Sequence, residues 1–157
     1  MCRIWNDRKS CRGTSNCSVV KYLLDTNVLS EVRRPRGDVS VKRWVSSVPA
    51  GDLYLSVLTL GDVRRGIDLL RRRDPVQADV YEAWIVTVLR DYADRVLPID
   101  AEIAEEWGRM NVPNFISIVD GLMAATAKVR NMTFVTRNTA DVARTGVRLL
   151  NPFDHPS

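Results

Sequence analysis

Five side chains with oxygen donors stand out in this 157-residue sequence, namely Asp25, Asp62, Asp120, Asn138 and Asp141. Carboxylate and amide oxygens are the ligands that hard cations such as Mg²⁺ prefer, and Mn²⁺ accepts them too. A cation held by carboxylates activates water and neutralises the charge on a reacting phosphate group. If these residues meet in one place, the chemistry that they indicate is metal-assisted reaction at phosphate.

Cysteine and histidine chemistry has little support in the sequence. The three cysteines, Cys2, Cys11 and Cys17, precede the first predicted strand and include no Cys-x-x-Cys pair of the kind that binds zinc. The single histidine, His155, lies two residues from the end of the chain, so we do not expect a Ser-His or Cys-His nucleophile. The lack of cysteines beyond residue 17 is typical of the cytoplasm, where disulfides are rare.

The composition is that of one globular domain. The sequence is 45% hydrophobic and 27% charged, which is an ordinary balance for a chain of this length. No apolar run approaches the roughly 18 residues that a membrane span needs, and the N-terminus has no apolar secretion signal. We therefore expect a cytoplasmic protein with no membrane segment.

The net charge of +4 comes mostly from residues 1–19, which carry four basic residues and one acid. Residues 20–157 hold 19 basic and 18 acidic groups and are nearly neutral. Bulk charge therefore gives no argument for binding to nucleic acid. Arginine suits phosphate recognition and does cluster at 33–36, 64–65 and 71–73, although solvated helix faces produce the same pattern.

Short apolar runs alternate with amphipathic segments, which predicts strands alternating with helices. The predicted strands are 19–24, 53–56, 95–98, 132–136 and 147–150, and the predicted helices cover about 28–34, 40–48, 57–73, 76–92, 101–110 and 117–127, with a short one near 138–141. Such alternation favours an α/β domain with a mainly parallel sheet. Right-handed crossovers would then bring the carboxyl ends of the strands to one edge, where such sheets bind ligands.

Each acid also has a purely structural explanation. Asp25 follows the first strand and could cap the next helix, and Asp62 lies early in a helix, where an acid suits the helix dipole. Asp120 forms a Ser-x-x-Asp pair with Ser117, which resembles a capping box. The apolar, small-residue segment that follows Asp120 nevertheless predicts a buried helix, and a buried carboxylate costs several kcal/mol unless it is paired or metal-bound.

The grouping of these residues argues more strongly for function than any one of them. Asn138 and Asp141 follow the fourth predicted strand and could cap the short helix there. In a parallel sheet, however, they share one edge with Asp25, Asp62 and Asp120. Several oxygen ligands without histidine or cysteine favour Mg²⁺ or Mn²⁺ at that edge.

Four motifs in this order resemble the PIN domain, and more closely the VapC/FitB-type toxins of bacterial toxin–antitoxin pairs. The motifs are YLLDTNVLSE at 22–31, SVLTLGDVRRGI at 56–67, DGLMAATA at 120–127 and VTRNTAD at 135–141. The resemblance covers about residues 20–153. It implies a three-layer α/β/α fold, a metal-dependent ribonuclease that leaves a 3′-OH and a 5′-phosphate, a VapB-like antitoxin partner and a homodimer.

The resemblance also assigns roles to the candidate residues. Asp25 and Asp120 match the first and third acids of the family and are the expected direct Mg²⁺ ligands. Asp62 stands where the family usually has Glu, so its shorter side chain is expected to act through a water. Asn138 stands where many members have a fourth Asp, and Asp141 is the alternative source of that acid.

The ribonuclease hypothesis assigns further residues to the RNA substrate. Thr136 and Asn27 are expected to orient waters or phosphate. Arg64, Arg65 and Arg137 are the candidates for a surface that guides RNA to the acidic pocket. Because an acidic pocket repels phosphate until a cation arrives, metal binding and RNA binding should be coupled.

Residues 1–19 have no counterpart in the family. Their mixed, aperiodic composition predicts a disordered extension, followed by a PIN domain over residues 20–153. Because the composition changes abruptly and all three cysteines lie upstream, we expect translation to begin at Val20 from a non-ATG codon.

Two alternatives to an active ribonuclease remain. A catalytically weakened PIN-like module that acts mainly through antitoxin binding would explain Asp62 and Asn138, which depart from the family pattern. An aspartyl-phosphate protein would use Asp25 as the phosphoacceptor, but Asn27 stands where phosphatases of that type need a second Asp.

Overall fold

The computed structural model describes residues 19–154, so the predictions made for residues 1–18 and His155 lie outside the described part of the chain. The strands are β1 (Tyr22–Leu24), β2 (Leu53–Ser56), β3 (Val96–Leu97), β4 (Thr133–Val135) and β5 (Arg148–Leu150). The helices are α1 (Thr26–Arg33), α2 (Val39–Ser47), α3 (Val57–Arg71), α4 (Pro75–Asp91), α5 (Ala101–Met110), α6 (Ile118–Val129) and α7 (Thr139–Val142).

All five strands form one parallel sheet with the order β3-β2-β1-β4-β5. The chain moves outward from β1 through β2 to β3, and then returns to the other side of β1 to add β4 and β5. The strand order therefore reverses between β1 and β4. In open α/β sheets, the carboxyl ends of the strands at such a reversal form the crevice that binds ligands.

Helices cover both faces of the sheet. Leu24 and Val135 point to a core built with α1 to α4, whereas their neighbours Leu23 and Phe134 point to a second core built with α6 and α7. Successive strand residues face opposite sides, so both faces of β1 and β4 are apolar and buried. The three-layer α/β/α architecture predicted from the sequence is confirmed.

Most helices begin at the polar residue that the sequence marks for this purpose. Asp38, rather than Ser40, caps α2 by accepting bonds from the backbone of Ser40 and Val41. Asp74 caps α4, with Pro75 in its first turn. β2 has the predicted bounds, whereas the other four strands are shorter than predicted. β3 contains only Val96 and Leu97, because Pro98 has no N–H to continue the ladder. Among the described residues, no helix is both long enough and apolar enough to cross a membrane.

Candidate active site

Asp25 and Thr136 lie side by side just beyond the ends of β1 and β4. The backbone N–H of Asp25 donates to the carbonyl of Val135, and that of Thr136 donates to Leu150, so both residues are fixed by extensions of the sheet ladder. The Thr136 hydroxyl donates to Asp25 Oδ2 at 2.8 Å, while Asp25 Oδ1 accepts from the backbone N–H of Thr26 at 2.6 Å. Asp25 thus caps α1 and also faces the crevice at the reversal of strand order.

Burial is the main influence on the Asp25 carboxyl group. Its side chain is 9% exposed, and this burial raises the pKa of Asp25 above its ordinary value of 3.8. The hydrogen bonds from Thr136 and Thr26 lower the pKa, and the nearby charges of Asp120 and Asp62 raise it further. The ionised form of Asp25 is therefore held at an energetic cost that a bound cation would reduce.

Asp62 reaches the same place from the second turn of α3. Its Oδ2 accepts a hydrogen bond of 3.3 Å from the Thr26 hydroxyl, which lies next to Asp25 in the sequence. Thr26 therefore links two of the acids, one through its backbone N–H and one through its side chain. Thr26 is not among the site residues predicted from the sequence, although a hydroxyl directly after the first acid is an available signal.

Asp120 lies in the first turn of α6, where Ser117 caps the helix. The Ser117 hydroxyl accepts from the Asp120 backbone N–H at 3.3 Å and donates to Asp120 Oδ2 at 2.7 Å. The next residue, Gly121, packs against Trp107 of α5 so closely that an added Cβ would lie 2.8 Å from the indole ring. The capping pair and this close approach together position Asp120. The prediction that Ser117 and Asp120 form a capping pair is therefore correct, and the hydrogen bond from the Ser117 hydroxyl to Asp120 Oδ2 also orients the acid.

Asn138 and Asp141 interact with each other. The Asn138 amide donates to Asp141 Oδ2 at 2.6 Å, and its backbone N–H donates to the Thr136 hydroxyl at 3.1 Å. The Asn138 side chain makes no capping bond to α7. Asp141 is exposed, and it is not among the described residues that line the pocket shared by Asp25, Asp62 and Asp120.

Asp25, Asp62, Asp120 and Asn138 line one pocket of about 430 Å³, which we call the acidic pocket. The structure therefore brings together four of the five candidate residues. The remaining lining residues are Thr26, Asn27, Arg65, Gly66, Ser117 and Val119. The catalytic roles of the four candidate residues stay predictions.

Of the three arginines proposed to guide RNA, Arg65 lines the acidic pocket. Arg64 instead forms a two-point ion pair with Glu82 of α4, with N···O distances of 2.6 and 2.8 Å. Arg137 lies over the ring of Phe153, with 5.0 Å between the guanidinium carbon and the ring centroid. The pairing of Arg64 and the stacking of Arg137 leave Arg65 as the best-placed of the three.

The donor set of the acidic pocket suits a hard divalent cation. Asp25, Asp62 and Asp120 form no ion pair with Lys or Arg within residues 19–154. In the same part of the chain, no three acidic, histidine or cysteine side chains lie close enough to make a complete metal cage. Mg²⁺ does not require such a cage, because it commonly keeps several waters and binds through one or two carboxylates.

The structure is a parallel α/β sheet that groups three carboxylates at the reversal of its strand order. The profile of the PIN domain family matches residues 22–147, and the chain belongs to this family. The resemblance predicted from the four sequence motifs is thereby confirmed.

The chain is similar to Toxin FitB of Neisseria gonorrhoeae, with 33% identity over 136 residues that cover 83% of this chain and 97% of the relative. It is also similar to VapC ribonuclease Y4jK of Sinorhizobium fredii, with 28% identity over 139 residues, 84% of this chain and 97% of the relative. Among solved structures, FitAB bound to an IR36 DNA fragment matches with a TM-score of 0.78 and 33% identity, covering 87% of this chain and 98% of the solved one.

Proposed function

We propose that this chain is a divalent-metal-dependent endoribonuclease and the toxin of a toxin–antitoxin pair. The observation that carries the proposal is a buried Asp25 that shares one pocket with Asp62 and Asp120, without a basic partner for any of the three among the described residues. The relatives named as a toxin and as a VapC ribonuclease support the substrate class.

In this proposal Asp25 and Asp120 hold Mg²⁺, with Mn²⁺ as a substitute. When bound, the ion lowers the pKa of a coordinated water and neutralises charge on the phosphate. Asp62 orients a water from its position beside Thr26, and Asn138 contributes its amide from the other side of the pocket. Arg65 contacts a phosphate oxygen of the RNA, since its exposed guanidinium lines the same pocket.

Thr136 acts as a positioning residue. Its hydroxyl donates to Asp25 Oδ2 and accepts from the Asn138 backbone, which fixes the orientation of the carboxylate. The hydrogen bond also stabilises the ionised form of Asp25, which is the form that binds a cation. Thr136 thereby counteracts part of the cost of burying this charge.

The partners belong to the same proposal. A toxin requires an antitoxin that holds it inactive, and we infer a VapB-like antitoxin, a homodimer and a cytoplasmic location. We also propose that the PIN domain occupies residues 20–153, with residues 1–19 as an extension of the domain.

The test is cleavage of RNA by the purified, antitoxin-free full chain in Mg²⁺ and in EDTA. Asp25→Asn should lower the rate by more than about 100-fold, because loss of an outer-shell partner alone typically costs about 10- to 100-fold. Asp94→Asn, at an exposed position before β3, is the matched control and should cleave as the unchanged chain does. Equal cleavage by all three proteins would indicate a contaminating nuclease and contradict the proposal.

The weakened-module alternative retains one specific observation in its favour. Asn138 places a neutral amide in the acidic pocket, and that amide is bonded to Asp141 rather than free. If the chain binds its antitoxin but fails to cleave several classes of RNA in Mg²⁺, this alternative gains. Fast cleavage by the unchanged chain would exclude it.

A further inference from the structure

A second cleft opens directly beside the acidic pocket, between α1, α3 and α4. It has a volume of about 340 Å³ and shares three lining residues with the acidic pocket, namely Thr26, Asp62 and Gly66. We call it the arginine–aromatic cleft, after Arg33, Arg34, Arg73, Tyr81 and Trp84, which also line it. None of these five was assigned a role in the proposed reaction.

Two helix faces lead from the acidic pocket into this cleft. Thr26, Ser30 and Arg33 are spaced four and three residues apart along α1, so they share one face of that helix. Asp62 and Gly66 are likewise four residues apart on α3. The path along α1 from Thr26 to Arg33 is about 10 Å, at 1.5 Å per helical residue. A single strand of RNA can therefore occupy both places at once.

Arg33 is held against two aromatic rings. Its guanidinium carbon lies 3.5 Å from the centroid of the Tyr81 ring and 5.2 Å from that of Trp84. Hydrogen bonding from Arg33, and to a smaller extent its charge, lowers the pKa of the Tyr81 phenol. The Arg33 side chain is half-buried, so part of it is accessible to a ligand in the cleft. RNA-binding proteins use guanidinium planes to stack bases.

The positive charge of the cleft is largely uncompensated. Arg34 is paired with Glu31 at 2.8 Å, whereas Arg33 and Arg73 form no ion pair with any carboxylate in residues 19–154. Two unpaired guanidinium groups next to an aromatic pair are the combination that binds the backbone and bases of single strands.

We propose that the arginine–aromatic cleft binds single-stranded RNA beside the scissile phosphate, with a base stacked on Arg33 and a phosphate contacted by Arg73. This proposal extends the proposed ribonuclease function by naming the segment of substrate that the chain recognises. The strand would leave the acidic pocket past Asp62 and Gly66 and enter the cleft along α1.

An acidic peptide is the competing occupant, because it also pairs with arginine. Two features favour RNA. The cleft is continuous with the pocket that receives the phosphodiester in the proposed function, and a guanidinium held among aromatic rings recognises a flat base, which an acidic peptide lacks. A peptide would moreover bring its carboxylates close to Asp62, which is a like charge.

The first experiment measures binding of a short fluorescein-labelled single-stranded RNA of mixed sequence to the full chain in EDTA, where no cleavage occurs. Arg33→Ala and Arg73→Ala should each weaken binding about tenfold. Arg73→Ala should also make the slope of log K against log salt less steep by about 0.7, the value for one phosphate contact on a single strand. Arg43→Ala, an exposed arginine of α2 outside the cleft, is the matched control and should change neither.

A second pair of variants, Gly66→Leu and Gly61→Leu, is expected to fold as the unchanged chain does. Gly66 and Gly61 both lie inside α3, and an added Cβ at either would meet no atom within 4 Å. Leucine favours helices more than glycine does, so Gly66→Leu and Gly61→Leu should both raise the melting temperature. Gly66 lines both pockets and Gly61 lines neither, so only Gly66→Leu fills the passage between them, and it alone should weaken RNA binding in EDTA, by about tenfold.

Binding that is unchanged by Arg33→Ala, Arg73→Ala and Gly66→Leu would overturn the proposal. The proposal would also be overturned, in favour of a protein-docking surface, if Arg33→Ala and Arg73→Ala weakened binding of a ten-residue polyglutamate peptide but left RNA binding unchanged. Failure of the ribonuclease proposal gives a different result from failure of the cleft proposal. If the chain binds RNA through the cleft in EDTA but does not cleave it in Mg²⁺, the result supports RNA binding by the cleft and contradicts the catalytic function.

Discussion

The acidic pocket and the arginine–aromatic cleft are neighbours with opposite charge, and neither neutralises the other. Asp25 and Asp120 lack a basic partner, and Arg33 and Arg73 lack an acidic one, among the described residues. Elsewhere the same helices do form ion pairs, such as Arg64 with Glu82 and Arg71 with Asp79. Charges that stay unpaired beside potential partners indicate sites for external ligands.

The comparison also assigns different kinetic roles to the two regions. The acidic pocket is fixed by the sheet ladder and by buried hydrogen bonds, which suits groups that must be held in one geometry during reaction. The cleft is lined by long side chains on helix surfaces, which suits recognition of a flexible strand. Changes in the pocket should therefore act on kcat, and changes in the cleft should act on KM.

The largest effect is expected from Asp120→Asn. It should lower kcat by more than about 100-fold with little change in KM, because it removes a cation ligand but leaves the RNA-binding cleft intact. Asp141→Asn is the matched comparison, and since Asp141 is exposed and outside the pocket we expect less than about a twofold change. Steady-state cleavage kinetics measure both. A larger loss from Asp141→Asn would identify Asp141 as the fourth acid.

A smaller loss is expected from Thr136→Val, which keeps the shape of the side chain but removes the hydroxyl. Without the hydrogen bond to Asp25 Oδ2, kcat should fall by about 10- to 100-fold. The pKa of Asp25 should rise further, so the acid limb of the pH–rate profile should move to higher pH. Thr136→Ser should restore both the rate and the profile. A rate loss without a shift of the profile would contradict the positioning role.

Restoring the usual acids of the family should raise activity moderately. In Asp62→Glu with Asn138→Asp, the pocket gains one charge and a longer carboxylate, so we expect kcat/KM to rise by about three- to tenfold. Steady-state cleavage kinetics at saturating Mg²⁺ measure this rise. A rise of several hundredfold would instead favour the weakened-module alternative for the natural chain.

The smallest effect concerns stability. Because the folded-state pKa of Asp25 is raised, the protonated form favours folding, and this stabilisation is lost as the pH rises from 3.8 through the folded pKa. Asp25→Asn should therefore melt above the unchanged chain at neutral pH, by about 2–4 °C for each kcal/mol removed. The difference should vanish at low pH. Thermal melts across pH measure it, and Mg²⁺ should raise the melting temperature of the unchanged chain only.

The secondary structure and the parallel arrangement of the strands could be predicted from the sequence. The alternation of apolar runs and amphipathic segments depends on local periodicity, which the sequence contains. The rule that parallel strands end at one edge then predicts that Asp25, Asp62, Asp120 and Asn138 lie together. The pocket confirms their proximity, while their catalytic roles stay predictions.

Other features could not be predicted because they depend on packing between distant segments. Asp141 does not line the pocket and instead accepts a hydrogen bond from Asn138, a pairing that spacing along the chain does not reveal. Arg64 is occupied by Glu82, which is 18 residues away on another helix. The arginine–aromatic cleft arises where α1 meets α3 and α4, and no motif along the chain marks that meeting.

The hydrogen bond between Thr136 and Asp25 spans 111 residues of sequence, and it has a consequence for biosynthesis. The strand that carries Asp25 is made first, but its neighbour β4 is made only near the end of translation. A growing chain on the ribosome therefore cannot hold Asp25 in its final geometry until nearly all of the protein has emerged. Synthesis is thus nearly complete before the site can form, which delays any damage that the protein could do to the RNA around it.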